Sequence, residues 1–366
     1  MTPPDGPPPV ARRGKPARAP SRVIDCDIHH APRSIEDLHP WLSRRWRDHL
    51  GHYGCRQPTA VAGPRTAEAR ADAWPPNGGP PGSDLDFLRA QALDRHDIAC
   101  GLLHLQFPQG MDERNQELGA ALCRASNEWV VHHWTGPEKR LKAAIMVPAE
   151  DAEAAVEEIE RWAGHGGFIQ VAMPTRAIEP LGRRRYWPIY DAAARHDLPI
   201  GLRVSGHNGH AVSAAGWPSY DVEAQHAAAL TQQAAVVSLV TEGVFELYSS
   251  LRVVVLGAGF AWVPSLCWRF DRHWERMRDE VPHLTDRPSE TIRRHFWFTT
   301  QPAEAPERAE DLRRVIDWVG WDRILFASGY PRRDMDDPEQ ALPIRLTEEE
   351  RRMVFGGNAR AVYGLA

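Results

Sequence analysis

The chain has no uninterrupted apolar run of about 18 residues, so a membrane-spanning helix is not expected. Its N-terminus lacks the apolar middle region of a secretory signal. Cysteine is scarce: Cys26, Cys55, Cys100, Cys123 and Cys267 make an odd count of five with no CxxC spacing. That argues against a disulfide framework and a zinc knuckle, and it suits reduced thiols in the cytoplasm. There is no Gly-x-Ser-x-Gly elbow, so Ser205 and Ser328 are not read as nucleophiles although histidines lie near them. No strong charge of one sign is present either. The formal net charge is −5, which gives no reason to expect nucleic acid or an anionic membrane as a partner. No internal repeat is visible beyond an alternation of strand-like and helix-like segments.

A hydrophobic content of 42% and a charged content of 25% are those of a soluble globular protein. The 366 residues fit one α/β barrel. Residues 1–20, "MTPPDGPPPVARRGKPARAP", are Pro-rich and basic and are read as a disordered tail. Residues 21–366 are read as the barrel. Eight apolar, β-rich runs follow: "RVIDCDI", "IACGLLHL", "LKAAIMVP", "GFIQVAM", "PIGLRVS", "LRVVVLG", "HFWFTT" and "RILFAS". Helical stretches such as "DAEAAVEEIERWAG", "YWPIYDAAARH" and "EDLRRVIDWVG" lie between them, with Ala155, Val156, Ile159 and Trp162 at helical spacing. Apolar strands alternating with helices predict a parallel sheet covered on its outer face, and about eight units predict a TIM (β/α)8 barrel. Two Pro- and Gly-rich insertions, 54–84 and 205–221, are expected as long loops over its C-terminal face.

In such a barrel the chemistry sits at the carboxyl ends of the strands. Those ends carry Asp27 and His29, His104 and Gln106, Met173, Arg203, Gly257, Thr300 and Gln301, and Gly329. Asp27 and His29 are two apart on one strand and share a face. A carboxylate and an imidazole placed so can hold a divalent metal, or form an ordinary hydrogen-bonded pair.

The motifs "VIDCDIHHAPRSIEDLHPWL", "GGFIQVAMP", "LGRRRYWPIYDAAARHDLPI", "GWPSY", "SLVTEGVFE", "GFAWVPSLCWRFD", "FTTQP" and "GNARAVYG" resemble the amidohydrolase-2 (amidohydrolase-related) family over residues 22 to 366. The resemblance implies a metal-dependent barrel related to hydrolases and decarboxylases, with zinc or manganese as the cofactor. It places Asp27 and His29 on the first-strand metal pair. The family's fifth-strand histidine is replaced by Arg203, the polar group ending the sixth strand by Gly257, and the eighth-strand aspartate by Gly329, with Arg332 where a histidine would follow. Arginine has no lone pair to offer a metal and glycine has no side chain. Asp27 and His29 alone therefore make an incomplete site, and the donor count favours no bound metal.

A charge argument assigns Arg203 a partner. A lone buried carboxylate is costly, so Arg203 is expected to reach Asp27 as an ion pair. Gly329 then reads as an open place in the mouth. Arg203 and Asp27 are the candidate catalytic residues. His104, Trp217 and Arg332 are the candidate substrate-binding residues, with Trp41 a further pocket candidate. His207, His210, Glu223, His226, His104 and Asp334 could rebuild a site; His207 and His210 read as solvated loop histidines, and Glu223 as a helix cap or start. Trp129, Trp134, Trp162 and Trp318 read as packing or subunit contacts.

Three functions follow. The first is a catalytically degenerate member of the family, acting beside an active paralogue. The second is an active hydrolase or carboxy-lyase with a relocated site using Asp27 and His29. The third is a metal-free enzyme or binder in which Arg203 and Arg332 hold an anionic small molecule. The expected partners are a small-molecule ligand and a homo-oligomer, or a hetero-oligomer with that paralogue, and the expected location is the cytoplasm.

Overall fold

The computed structural model describes residues 23–54, 69–106, 110–205, 211–213 and 215–365. The Pro-rich tail, His207 and His210, and parts of both insertions lie outside the described residues. Eight strands form one parallel sheet in sequence order. They are β1 (Val23–His30), β2 (Ile98–Leu105), β3 (Leu141–Met146), β4 (Phe168–Pro174), β5 (Ile200–Arg203), β6 (Val253–Leu256), β7 (Phe296–Thr299) and β8 (Ile324–Leu325). Every expected strand is present. Although β8 is short, the chain beyond it stays bonded to β1. Cys26 N donates to Phe326 O, His29 N to Tyr330 O and Gly329 N to Asp27 O, at 3.0, 2.7 and 3.0 Å. These bonds bring the first and last strands together in a TIM (β/α)8 barrel.

Two apolar layers divide the strand side chains by parity. The larger lies between sheet and helices and takes Ile28, Leu103, Ile145, Val171, Met173, Leu202, Val255 and Phe298. The smaller fills the barrel with Ile24, Cys26, Leu102, Val254, Leu256 and Leu325, closed by Ala359, Val362 and Tyr363 of the helix Asn358–Tyr363. Met173 thus faces the helices and not the mouth. The periodic segments form the helices Ala152–Trp162, Trp187–Arg195 and Ala309–Val319. Ala155, Ile159 and Trp162 are buried, as their spacing predicts. Trp129 and Trp134 are buried as well, against the ring of His30. No described helix is long and apolar enough to cross a membrane.

β1 carries the feature that builds the mouth. Its register against β2 runs Asp25↔Gly101 and then Ile28↔Leu103, three residues against two. The extra residue is a β-bulge, which switches the facing parity. Ile24 and Cys26 face into the barrel below it, Ile28 faces the helices, and Asp27 and His29 converge on the interior residue His104.

Candidate functional site at the barrel mouth

Asp27, His29 and His104 are 2–3% exposed and form one cluster. His29 Nε2 and His104 Nδ1 each lie 2.9 Å from Asp27 Oδ1. Burial alone would raise the Asp27 carboxyl, but the two imidazoles outweigh it and hold it well below the usual carboxylate range. Burial, assisted by the Arg203 and Arg332 charges, pushes His29 down to about 4 against the pull of Asp27. At neutral pH Asp27 is therefore a carboxylate beside a neutral His29 imidazole.

The third member is oriented from below. Tyr363 donates its hydroxyl to Gln170 Oε1, and Gln170 Nε2 donates to His104 Nε2, both at 2.9 Å. With Nε2 accepting, the His104 proton sits on Nδ1, toward Asp27. Gln170 is fully buried, and the space it needs is made by a neighbour with no side chain. A Cβ on Gly201 would lie 1.9 Å from Gln170 Nε2. Sequence reasoning missed this relay. The available signal was one polar residue inside the apolar run "FIQVAM", beside a glycine in the next strand.

The expected ion pair between Arg203 and Asp27 does not form. Among the described residues Asp27 pairs with the two histidines, while Arg203 Nη1 donates to Leu105 O. The carboxylate already has two imidazole nitrogens within 2.9 Å, so the charge argument was right about the need and wrong about the neighbour. Arg203, His104, Met111, Met146, Ala172 and Ser205 are among the residues lining a cavity of about 10 Å³, room for about one water.

Gly329 is not an open place either. It and Gly257 have φ of +68° and +67°, in the left-handed region. A Cβ on Gly329 would meet Gln301 Cδ at 2.8 Å and Cγ at 2.9 Å, and one on Gly257 would lie 3.9 Å from Gln301 Oε1. The Gln301 side chain, 1% exposed, fills the space between the ends of β6 and β8. Its Nε2 donates to Asp334 Oδ2 at 2.9 Å, Arg332 Nε donates to Asp334 Oδ1 at 3.0 Å, and Arg332 Nη2 donates to Gln225 Oε1 at 2.5 Å. Asp334, a candidate for rebuilding a site, is thus the centre of a chain tying the segment after β7, the segment after β8 and the helix Asp221–Thr241 together. Arg332 is engaged in that chain and also acts on His29 through its charge.

Beyond β6, Glu304 accepts from Phe260 N at 2.8 Å and Ala261 N at 2.5 Å, packed where a Cβ on Gly259 would lie. Burial raises its carboxyl despite those bonds. Trp217 is 66% exposed. Trp41 packs on His132 and His133 near the helix Gln116–Val130. Glu223 caps its helix, accepting from Ser219 N and Tyr220 N at 2.7 and 2.8 Å. His226 bonds to its own helix backbone. Ser328 Oγ accepts from Tyr330 N, a structural role. Among the described residues no group of three or more His, Cys, Asp or Glu side chains is arranged to hold a metal ion.

A family model described as amidohydrolase matches residues 24–365. The gamma-resorcylate decarboxylase of Polaromonas sp. strain JS666 is 23% identical over 303 residues, 77% of this chain and 88% of that protein. A solved dihydroxybenzoic acid decarboxylase from the same source, with bound manganese and 2-nitroresorcinol, superposes with a TM-score of 0.65 and 18% identity, covering 94% of this chain and 97% of the other. An amidohydrolase structure from Mycobacterium avium subsp. paratuberculosis gives 0.72 and 20%, covering 95% and 100%. The solved structures establish likeness of fold.

Proposed function

The chain belongs to the amidohydrolase family, and from that premise we propose that it is a catalytically degenerate member, acting beside an active paralogue. The carrying observation is the Gln301 side chain seated against Gly329 and near Gly257, with Arg203 at the end of β5. Three strand ends that would supply donors to a divalent ion supply none. The remaining donors do not fit a metal in this arrangement. His29 Nε2 and His104 Nδ1 each lie 2.9 Å from one oxygen of Asp27, and the Gln170 bond to Nε2 keeps the His104 proton on Nδ1, so that nitrogen offers a metal no lone pair there. Arg203 holds a fixed positive charge close enough to depress His29, where a second cation would be repelled. Asp27 then has the role of a buried acceptor and His104 that of a positioned donor.

The relatives name the substrates to try. The purified chain, reconstituted with manganese or zinc, is assayed for bound metal and for CO2 release from 2,6-dihydroxybenzoate and 5-carboxyvanillate. Metal well below one ion per chain and no metal-stimulated release are expected. Stoichiometric manganese together with metal-dependent release would refute the reading.

A second reading rests on Arg203 lining a cavity with His104 and Ser205. The cavity as it stands takes about one water, so this reading requires the mouth to open before a small carboxylate enters, with Arg203 as the anchoring cation and His104 beside it. Saturable binding of benzoate-type anions by the wild type, lost in Arg203→Met, would favour it over the first. A cytoplasmic location belongs to both readings, because the thiols are few and Cys26, Cys100, Cys123 and Cys267 are all free.

A further inference from the structure

A groove of about 460 Å³ opens where β1 begins, at the end of that strand away from the mouth. Val23, Pro338, the helix Glu348–Arg352 and the ring of Phe355 line it. Its walls are acidic at two places. Glu348 and Glu349 begin the helix, and Asp337 and Glu339 flank Pro338 in the chain. The cations on the groove are engaged: Arg352 pairs with Glu349 at 3.4 Å, and the Arg351 guanidinium lies 5.4 Å over the Phe355 ring. Glu348 is exposed and takes part in no ion pair among the described residues.

The chain that enters the barrel through this groove has the opposite sign. Residues 1–22 carry Arg12, Arg13, Lys15, Arg18 and Arg22 against a single acid, Asp5. They also lie outside the family match, which starts at residue 24. Pro-rich sequences favour an extended helix with three residues per turn and a rise of about 3.1 Å. Arg12, Lys15 and Arg18 are three apart, so such a helix sets these cations on one side and Gly14, Ala17 and Pro20 on another. Lys15 precedes Val23 by eight positions, about 25 Å at that rise.

We infer that residues 12–22 dock in this groove of their own chain, with the basic side toward the acidic walls and the small apolar side on Phe355 and Pro338. A segment too polar to bury surface by folding on itself can still bury it on a preformed wall. The tether selects the occupant. A segment joined to Val23 meets the groove at an effective concentration of roughly millimolar order, and any other protein would have to displace it. Docking there covers the turn that holds Phe355 and Val354. Val354 O accepts from Phe326 N at 3.1 Å, and Phe326 O accepts from Cys26 N at 3.0 Å. The segment therefore braces the closure of the first and last strands from outside the barrel. The inference does not rest on the proposed function.

Lys15 is the only lysine in the segment, which makes the contact readable in the full chain. A carbodiimide joins an amine to a carboxylate in direct contact, and peptide mass spectrometry locates the bond. The expected product links Lys15 to Glu348, or to Asp337, Glu339 or Glu349, within one chain. Arg12→Ser/Arg18→Ser changes no residue of the barrel and should lower that yield by roughly threefold or more, the scale of two exposed ion pairs. Raising the salt to about 0.5 M should lower it in the wild type as well. An equal mixture of isotope-labelled and unlabelled chains reports whether the segment docks on another copy, through products that join one labelled and one unlabelled peptide. Such mixed products as the main species, Lys15 coupled indiscriminately to acids across the barrel, no Lys15 product, or a yield unmoved by the arginine substitutions would overturn the inference.

Discussion

Placing an aspartate at Gly329 tests how the mouth is filled, because two separable penalties meet there. The backbone sits at φ +68°, where a non-glycine residue is disfavoured by about 1–2 kcal/mol. The new Cβ would also lie 2.8 Å from Gln301 Cδ, so Gln301 must leave. Its hydrogen bond to Asp334, 2.9 Å long, goes with it, and a displaced buried amide costs about 1–3 kcal/mol. Gly329→Asp should therefore destabilise the protein by about 2–5 kcal/mol. In a Gln301→Ala background the collision is already gone, and the same substitution should cost only the backbone share. The four proteins of this double-mutant cycle, unfolded in guanidinium chloride with a common m-value, should show a favourable coupling of about 1–3 kcal/mol. A coupling below about 0.5 kcal/mol, within the scatter of independent sites, would refute the claim that Gln301 occupies the place of a side chain at 329.

Gly201→Ala should cost about 3 kcal/mol or more, since its Cβ would expel Gln170 and break two buried hydrogen bonds; denaturant unfolding reads this, and a loss under about 1 kcal/mol would contradict the relay. Burial raises the Asp336 carboxyl to about 7, with Asp334 adding to the shift and a backbone bond opposing it. The folded chain thus holds a proton that the unfolded chain releases near 3.8, so this group's contribution is favourable at low pH and is lost as pH rises through that window. Asp336→Asn should accordingly stabilise the protein at pH 8 and leave it unchanged at pH 4, as measured by thermal unfolding at both. Restoring donors with Arg203→His, Gly257→Glu and Gly329→Asp should bind a divalent ion only when Gln301→Ala is added to clear the space. Metal analysis of the triple and quadruple variants checks this, and equal binding by both would show that Gln301 is no obstacle.

Much of this protein could be read along the chain. Eight apolar runs separated by helical periods specify a barrel, because burial on both faces and parallel crossover leave few other arrangements. The shared face of Asp27 and His29 follows from strand periodicity. The loss of donors at Arg203, Gly257 and Gly329 is visible as residue chemistry, whatever surrounds them.

What the tertiary structure alone decided is which groups move into the places those residues leave. Arg203 was the obvious counter-charge for Asp27, yet His104 from the adjacent strand takes that place, oriented by Gln170 and by Tyr363, 193 positions further on. Gly329 looked empty, yet Gln301 from the segment after β7 lies against it. Each outcome depends on barrel closure bringing remote strands within hydrogen-bond reach, and on which side chain fits the volume first. Local periodicity records which face a residue takes; it carries no information about what meets it across the barrel.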